Sequence, residues 1–238
     1  MKIDILAIGV HPDDIELSCA GTLFAHAKKG YSFGLLDLTR GELGTRGTAE
    51  TRDAEAAASA KIMGASFRKN LAMADGKFSV DDAHKTQIIE IIRWSKPTLV
   101  LANALNDRHP DHGRAAKLIA DACYYAGLRK WETTFQNEIQ EAHRPTNVLH
   151  YIQDYFQTPD IVVDITGHFE QKLDCIKAYK TQFFDPESKE PETPLTGADY
   201  FDYIRARAQD MGRPAGYELA EGFQRSRING LQDLLKLD

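Results

Sequence analysis

The chain has 238 residues, 42% of them hydrophobic and 27% charged, with a formal net charge of −6. That length suits one large domain with a sizeable core, and the composition is ordinary for a soluble globular protein. The acidic balance excludes a nucleic-acid binder that relies on a broad basic surface, while leaving room for a local arginine pocket.

Residues 3–10, IDILAIGV, read as a short buried strand that runs straight into His11-Pro12-Asp13-Asp14. This start is too short and too charged for a signal-peptide core, and no later stretch has the apolar run needed to span a bilayer. Glu16 to Lys29 reads as a helix stopped at Gly30, Ser32 to Leu38 as a second strand, and the alanine-rich stretch Thr51 to Met63 as a helix stopped at Gly64. Phe67 to Met73 is a weaker strand. Asp81 to Ser95 places Ile88, Ile91 and Ile92 on one helical face and ends before Lys96-Pro97. Thr98 to Ala102 is a further strand, followed by Asn106-Asp107-Arg108-His109-Pro110-Asp111-His112 and a helix ending at Gly127.

Later segments are less regular. Val148 to Ile152 and Ile161 to Asp164 look like strands, Phe169 to Lys180 and Tyr200 to Met211 like helices. The proline- and acid-rich loop at 181–198 reads as an active-site wall or lid. No linker or repeat marks a domain break, so one α/β domain over 1–238 is expected: a Rossmann-like, doubly wound, mostly parallel sheet with helices on both faces. Cys19, Cys123 and Cys175 are widely spaced and form no CxxC pair. They are expected to be buried thiols in a reducing compartment, the cytoplasm by default.

The two HPD loops carry the chemistry. Asp at a strand-to-helix junction is an ordinary helix cap, and Pro is ordinary at the first helical position. The second loop, however, holds more titratable groups than a cap requires. If the strands take the order 3-2-1-4-5, both loops open into one crevice beyond the carboxyl ends of neighbouring strands.

A catalytic zinc takes three His or carboxylate ligands and keeps a position open for water. His11, Asp14 and His112 fit that set best. Asp13 is then free to act as general base, and His109 to donate a hydrogen bond to an oxyanion or a proton to a leaving group. Asp111 could hold the tautomer of His109. The same donors admit two further readings: a two-metal phosphoesterase recruiting Asp13, Asp107 and Asp111, and a non-haem Fe2+ site. A dinucleotide-binding module is disfavoured, because GxGxxG is absent and acidic groups occupy the turn where pyrophosphate would sit.

HPDD after the first strand, HPDH after the fourth, and Glu50-Thr51-Arg52 opening a helix resemble the PIG-L/LmbE family of zinc-dependent N-acetylglucosamine deacetylases. Thr193-Pro194-Leu195-Thr196 and residues 217–223, YELAEGF, extend the resemblance over essentially the whole chain. Within the family it is similar to the bacillithiol-biosynthesis branch, which acts on an N-acetylglucosaminyl malate. The resemblance implies zinc at His11, Asp14 and His112, Asp13 as base and His109 as electrostatic catalyst. It further implies substrate contacts from Arg52, from Tyr200 in the late loop, and from Arg144, the last reaching toward the sugar or a neighbouring subunit of a homo-oligomer. Arg46 and Arg108 are candidates for pairing with malate carboxylates, in competition with structural ion pairs. The expected partner is thus a small amino-sugar conjugate, with neither nucleic acid nor membrane.

Overall fold

Apolar strands and helices alternate along the first half of the computed structural model, which describes residues 1–183, 185–230 and 233. Residue 184, inside the acidic loop, lies outside the described residues. The elements are β1 (Ile5–Gly9), α1 (Asp14–Lys28), β2 (Phe33–Thr39), α2 (Ala49–Met63), β3 (Arg68–Met73), α3 (Asp82–Ser95), β4 (Leu99–Ala102) and α4 (Pro110–Tyr125). A two-residue hairpin pair follows, β5 (Thr134–Phe135) and β6 (Glu138–Ile139). The chain then forms β7 (Asn147–Tyr151), β8 (Ile161–Asp164), α5 (Phe169–Lys177), α6 (Tyr200–Gly212) and β9 (Ala220–Arg225).

Seven strands form one sheet in the order β3-β2-β1-β4-β7-β9-β8. The first five are parallel, so the expected 3-2-1-4-5 order holds with β7 as the fifth strand. β9 runs antiparallel between β7 and β8. The sequence pattern did not predict β9, because Glu221 and Gly222 interrupt its apolar run. Glu221 is nonetheless buried, since Lys172 Nζ bonds its Oε1 at 2.6 Å and the backbone N–H groups of Gly21 and Thr22 donate to its carboxylate.

Local chemistry sets the ends of α2 and α3. Thr48 caps α2 through a reciprocal box with Thr51, and Gly64 ends it with φ 69°, a left-handed turn suited to glycine. Asp81 caps α3 by accepting from the His84 N–H. Apolar clusters fill both faces: Ile88, Ile92, Leu118 and Ile119 from α3 and α4 pack on one, and Ile15, Cys19 and Leu23 from α1 on the other. All three cysteines are buried and free. Among the described residues no helix is long and apolar enough to cross a membrane.

A buried ionic knot fixes α1 against the sheet. Arg68 on β3 donates bidentately to Asp37 on β2, at 2.7 Å each, and reaches Glu16 on α1 at 2.6 Å. Ser59 and Tyr179 also donate to Glu16 Oε1. Burial pushes the Asp37 carboxyl up, and the Arg68 charge opposes this. Removing one partner from such a cluster strands a buried charge, at a cost of about 3–5 kcal/mol. Arg68→Met is therefore expected to destabilise the chain by about that amount in chemical denaturation. A loss of only a few tenths would show that the knot is dispensable.

Candidate active site

Both HPD loops stand at the carboxyl ends of adjacent strands, β1 and β4, and open into one cleft of ≈ 390 Å³. The cleft continues between α1, α6 and the loop at 193–195, which contributes Thr193, Pro194 and Leu195. The late loop therefore does form a wall of the site.

At the first loop no side-chain cap forms. Asp13 precedes α1 with φ 118° and makes no capping bond. A non-glycine residue in that region costs on the order of 1–3 kcal/mol and persists only where its surroundings enforce it. Here the enforcement comes from Arg52, whose Nη2 donates to Asp13 Oδ2 at 2.8 Å and to the Pro12 carbonyl at 3.0 Å, while its Nη1 donates to the Gly41 carbonyl. A Cβ on Gly41 would lie 2.1 Å from that guanidinium, so only glycine fits there. Arg52 lines the cleft as expected, but its hydrogen bonds go to the Asp13 loop rather than being left for substrate. Burial pushes the Asp13 carboxyl up to about 7 against the opposing charge of Arg52, placing it in the range of a general base.

Asp14 turns its carboxylate back into the strand ends. Oδ2 accepts from the N–H groups of Val10 (3.0 Å) and His11 (2.9 Å) and from Asn103 Nδ2 (3.0 Å). Oδ1 accepts from Gln153 Nε2 at 2.7 Å and faces His112 Nε2 at 3.3 Å. Burial alone would raise its pKa, but His112, His11 and these donors hold the carboxyl well below the usual range. It is a fixed negative charge between two imidazoles.

The imidazoles are oriented from outside. His11 turns Nδ1 toward Asp14, at 3.8 Å from Oδ2, and Nε2 toward Asp75 Oδ1 at 3.0 Å. His112 turns Nε2 toward Asp14 and bonds Asp107 through Nδ1. Carboxylates behind histidines in this way are the usual support of metal ligands. Among the described residues, two groups have ligand atoms within 4.8 Å of one another, His11, His109 and His112, and His11, Asp75 and Asp111, with Asp14 in neither. The donor set fits a divalent ion of the zinc type, which takes imidazole and carboxylate together.

At the second loop, capping and chemistry share a residue. His109 caps α4: its Nδ1 accepts from the Asp111 N–H at 3.2 Å, with Pro110 at the first helical position. Nε2 is then the protonated nitrogen of the neutral ring, a donor directed from the helix end. Burial, followed by the proximity of His11 and His112, lowers the His109 pKa and keeps the ring neutral. Its centroid lies 4.7 Å from that of His11 and 5.3 Å from that of His112.

The Asp111 carboxylate does not take the expected role. It bonds Arg114 at 2.7 Å and the Gly76 N–H at 2.9 Å, so the backbone of Asp111, not its side chain, orients His109. Asp13, Asp107 and Asp111 hydrogen-bond to Arg52, His112 and Arg114 respectively.

The remaining expected contacts separate. Tyr200 starts α6 and lines the cleft, stacked 5.7 Å from Phe183, its hydroxyl pKa raised by burial and by the Asp13 charge. Arg108 lines the mouth and pairs with Asp154. Arg46 is buried in the wall, bonded to the Phe183 carbonyl and Ser188 and 3.6 Å from Glu190, so its charge is structural. Arg144 lies off the cleft, over the Tyr124 ring at 4.3 Å with its Nη2 on the Tyr124 carbonyl. The expected sugar contact from Arg144 is not made within this chain.

Sequence reasoning missed Asp75, Asn103 and Gln153. Asp75-Gly76 reads only as a turn, and the other two are single polar residues at strand ends.

The matching family model is "PIG-L: GlcNAc-PI de-N-acetylase", over residues 6–123. The uncharacterized deacetylase YaiS of Escherichia coli K12 is 37% identical over 74% of this chain and 90% of its own length. The chain belongs to the PIG-L family. It is also 28% identical to the diacetylchitobiose deacetylase of Thermococcus kodakarensis, over 92% of this chain and 82% of that protein. The crystal structure of the conserved protein TT1542 from Thermus thermophilus superposes with a TM-score of 0.84, at 32% identity, covering 97% of this chain and 98% of that one.

Any metal bound through His112 would be sensitive to pH. Burial would lower the His112 pKa, but Asp14 and Asp107 outweigh it and push it up to about 10. The ring is therefore protonated at pH 8, and a metal ligand must be neutral. Binding through His112 should therefore release about one proton at pH 8, and affinity should rise with pH toward about 10. Calorimetric titration in buffers of different ionisation enthalpy reads the proton count, and a count of zero would contradict binding through His112.

Proposed function

We propose that the chain is a zinc-dependent amidase that removes acetate from an N-acetylglucosaminyl conjugate, with His11, Asp14 and His112 as ligands. The observation that carries this reading is the pair of imidazoles flanking Asp14, with Asp75 and Asp107 against their outer nitrogens. Membership of the PIG-L family and the deacetylase names of its relatives support the reaction class. A zinc ion held by these residues would supply Lewis acidity toward the amide carbonyl and toward water; ferrous iron would suit the same donors.

The residues supply the rest. Asp13 accepts the proton of the attacking water and returns it to the amine nitrogen as the C–N bond breaks, leaving acetate and a free amine. Arg52 holds that carboxylate in place. His109 donates its Nε2–H to the oxygen on which negative charge develops. Tyr200 closes the wall beside Asp13. Asp13→Asn should retain the metal and lose several powers of ten in acetate release, of the size general-base removal commonly costs, about 10²–10⁴-fold. Loss of metal in this variant, with Asp14→Asn retaining it, would show that the two roles are exchanged.

As the conjugate we propose N-acetylglucosaminyl L-malate, an intermediate of bacillithiol biosynthesis, used in the cytoplasm. The aglycone brings two carboxylates to a chain of net charge −6, so long-range attraction opposes it and local cations must recognise it. Arg108 and Arg207 both line the cleft and meet at Asp154, where Arg108 pairs with the side chain and Arg207 donates to the backbone carbonyl. Arg108→Ala should lower kcat/KM for the malate conjugate by about ten- to a hundredfold and leave hydrolysis of N-acetylglucosamine almost unchanged. If the wild type hydrolyses both equally well, the malate assignment falls and the deacetylase reading stands.

A further inference from the structure

We propose that Asp107 is a positioning residue that sets which nitrogen of His112 is free to bind metal, and so sets the metal affinity of the site. The inference rests on the ligand set proposed above. Asp107 lies in the loop between β4 and α4, five residues before His112, with its side chain wholly buried.

Its two oxygens have separate tasks. Oδ2 bonds His112 Nδ1. Oδ1 accepts from the backbone N–H groups of Asp154, at 3.1 Å, and Tyr155, at 2.8 Å. An ionised carboxylate only accepts, so the hydrogen of this contact belongs to Nδ1 and the Nε2 lone pair of the neutral ring is left pointing at Asp14.

The same carboxylate ties the ligand to the cleft mouth. The carbonyl of Asp154 accepts from Arg207 on α6, and the Asp154 side chain pairs with Arg108. The 154–155 backbone that shapes the mouth therefore hangs from the group that orients His112.

Asp107→Asn separates the two tasks. With its carbonyl oxygen toward residues 154 and 155, the amide keeps both backbone bonds and the loop is undisturbed. Its NH2 then faces His112 Nδ1 and donates to it, which moves the ring hydrogen to Nε2 and removes the lone pair the metal needs. The opposite amide rotamer would set its NH2 against two N–H donors. A residue that merely anchored the loop would tolerate this substitution.

The test is zinc affinity of the whole metal-stripped chain, by competition with a chromophoric chelator, alongside its thermal midpoint. Asp107→Asn should bind zinc about 10- to 100-fold more weakly than wild type, with a midpoint close to wild type. Asp107→Ala should lose both zinc affinity and thermal stability. Wild-type affinity in Asp107→Asn would overturn the proposal and leave the ligand assignment intact, whereas a wild-type chain that binds no zinc would overturn both. Should Asp107→Asn fail to fold, the ring nitrogen resonances of His112 in the zinc-loaded wild type decide. Hydrogen on Nδ1 with metal on Nε2 supports the proposal; metal on Nδ1 overturns it.

Discussion

One buried carboxylate organises the site. Asp14 accepts from the turn after β1 (Val10 and His11), from Asn103 after β4 and from Gln153 after β7, so three neighbouring strand ends close around a single negative charge. Such a charge is costly to bury unless it is fully compensated. Two imidazoles and four N–H donors compensate it, and it in turn fixes the positions of the imidazoles. The parallel order β2-β1-β4-β7 is what brings these donors within reach.

A second layer of buried charge holds that centre in place. Arg52 clamps Asp13 and the Gly41 turn, Arg68 locks α1 to β2 and β3, and Lys172 neutralises Glu221 under the same helix. These three buried cations brace the Asp13 loop and α1, the elements that carry the chemistry. The strained backbone at Asp13 shows the consequence. A general base is presented in a conformation the isolated loop would avoid, and the surrounding contacts supply the compensation.

The sheet was legible because β1 and β4 are continuous apolar runs and β2 is apolar apart from Asp37 and Thr39, and each helix behind them ends at a glycine or before a proline. The two HPD loops were legible because their side chains exceed what caps need. Three features were hidden, each for a physical reason. β9 carries a buried Glu221 whose partners Lys172 and α1 are distant in sequence. Asp75 reaches His11 across 64 positions. Arg144 precedes Pro145 and is exposed, but it packs on Tyr124 outside the cleft, a contact set by how the chain turns after α4. Local pattern conveys what a residue can do, whereas tertiary contacts decide whether it is already engaged.

The most direct test of the proposed centre is the position of the bound metal. Anomalous diffraction at the zinc edge from a zinc-loaded crystal should give one peak per chain, within bonding distance of His11 Nδ1, Asp14 and His112 Nε2, about 2.0–2.2 Å. A peak on the opposite edge of His11, between Nε2, Asp75 and Asp111, or one held by His109 in place of Asp14, would contradict the account.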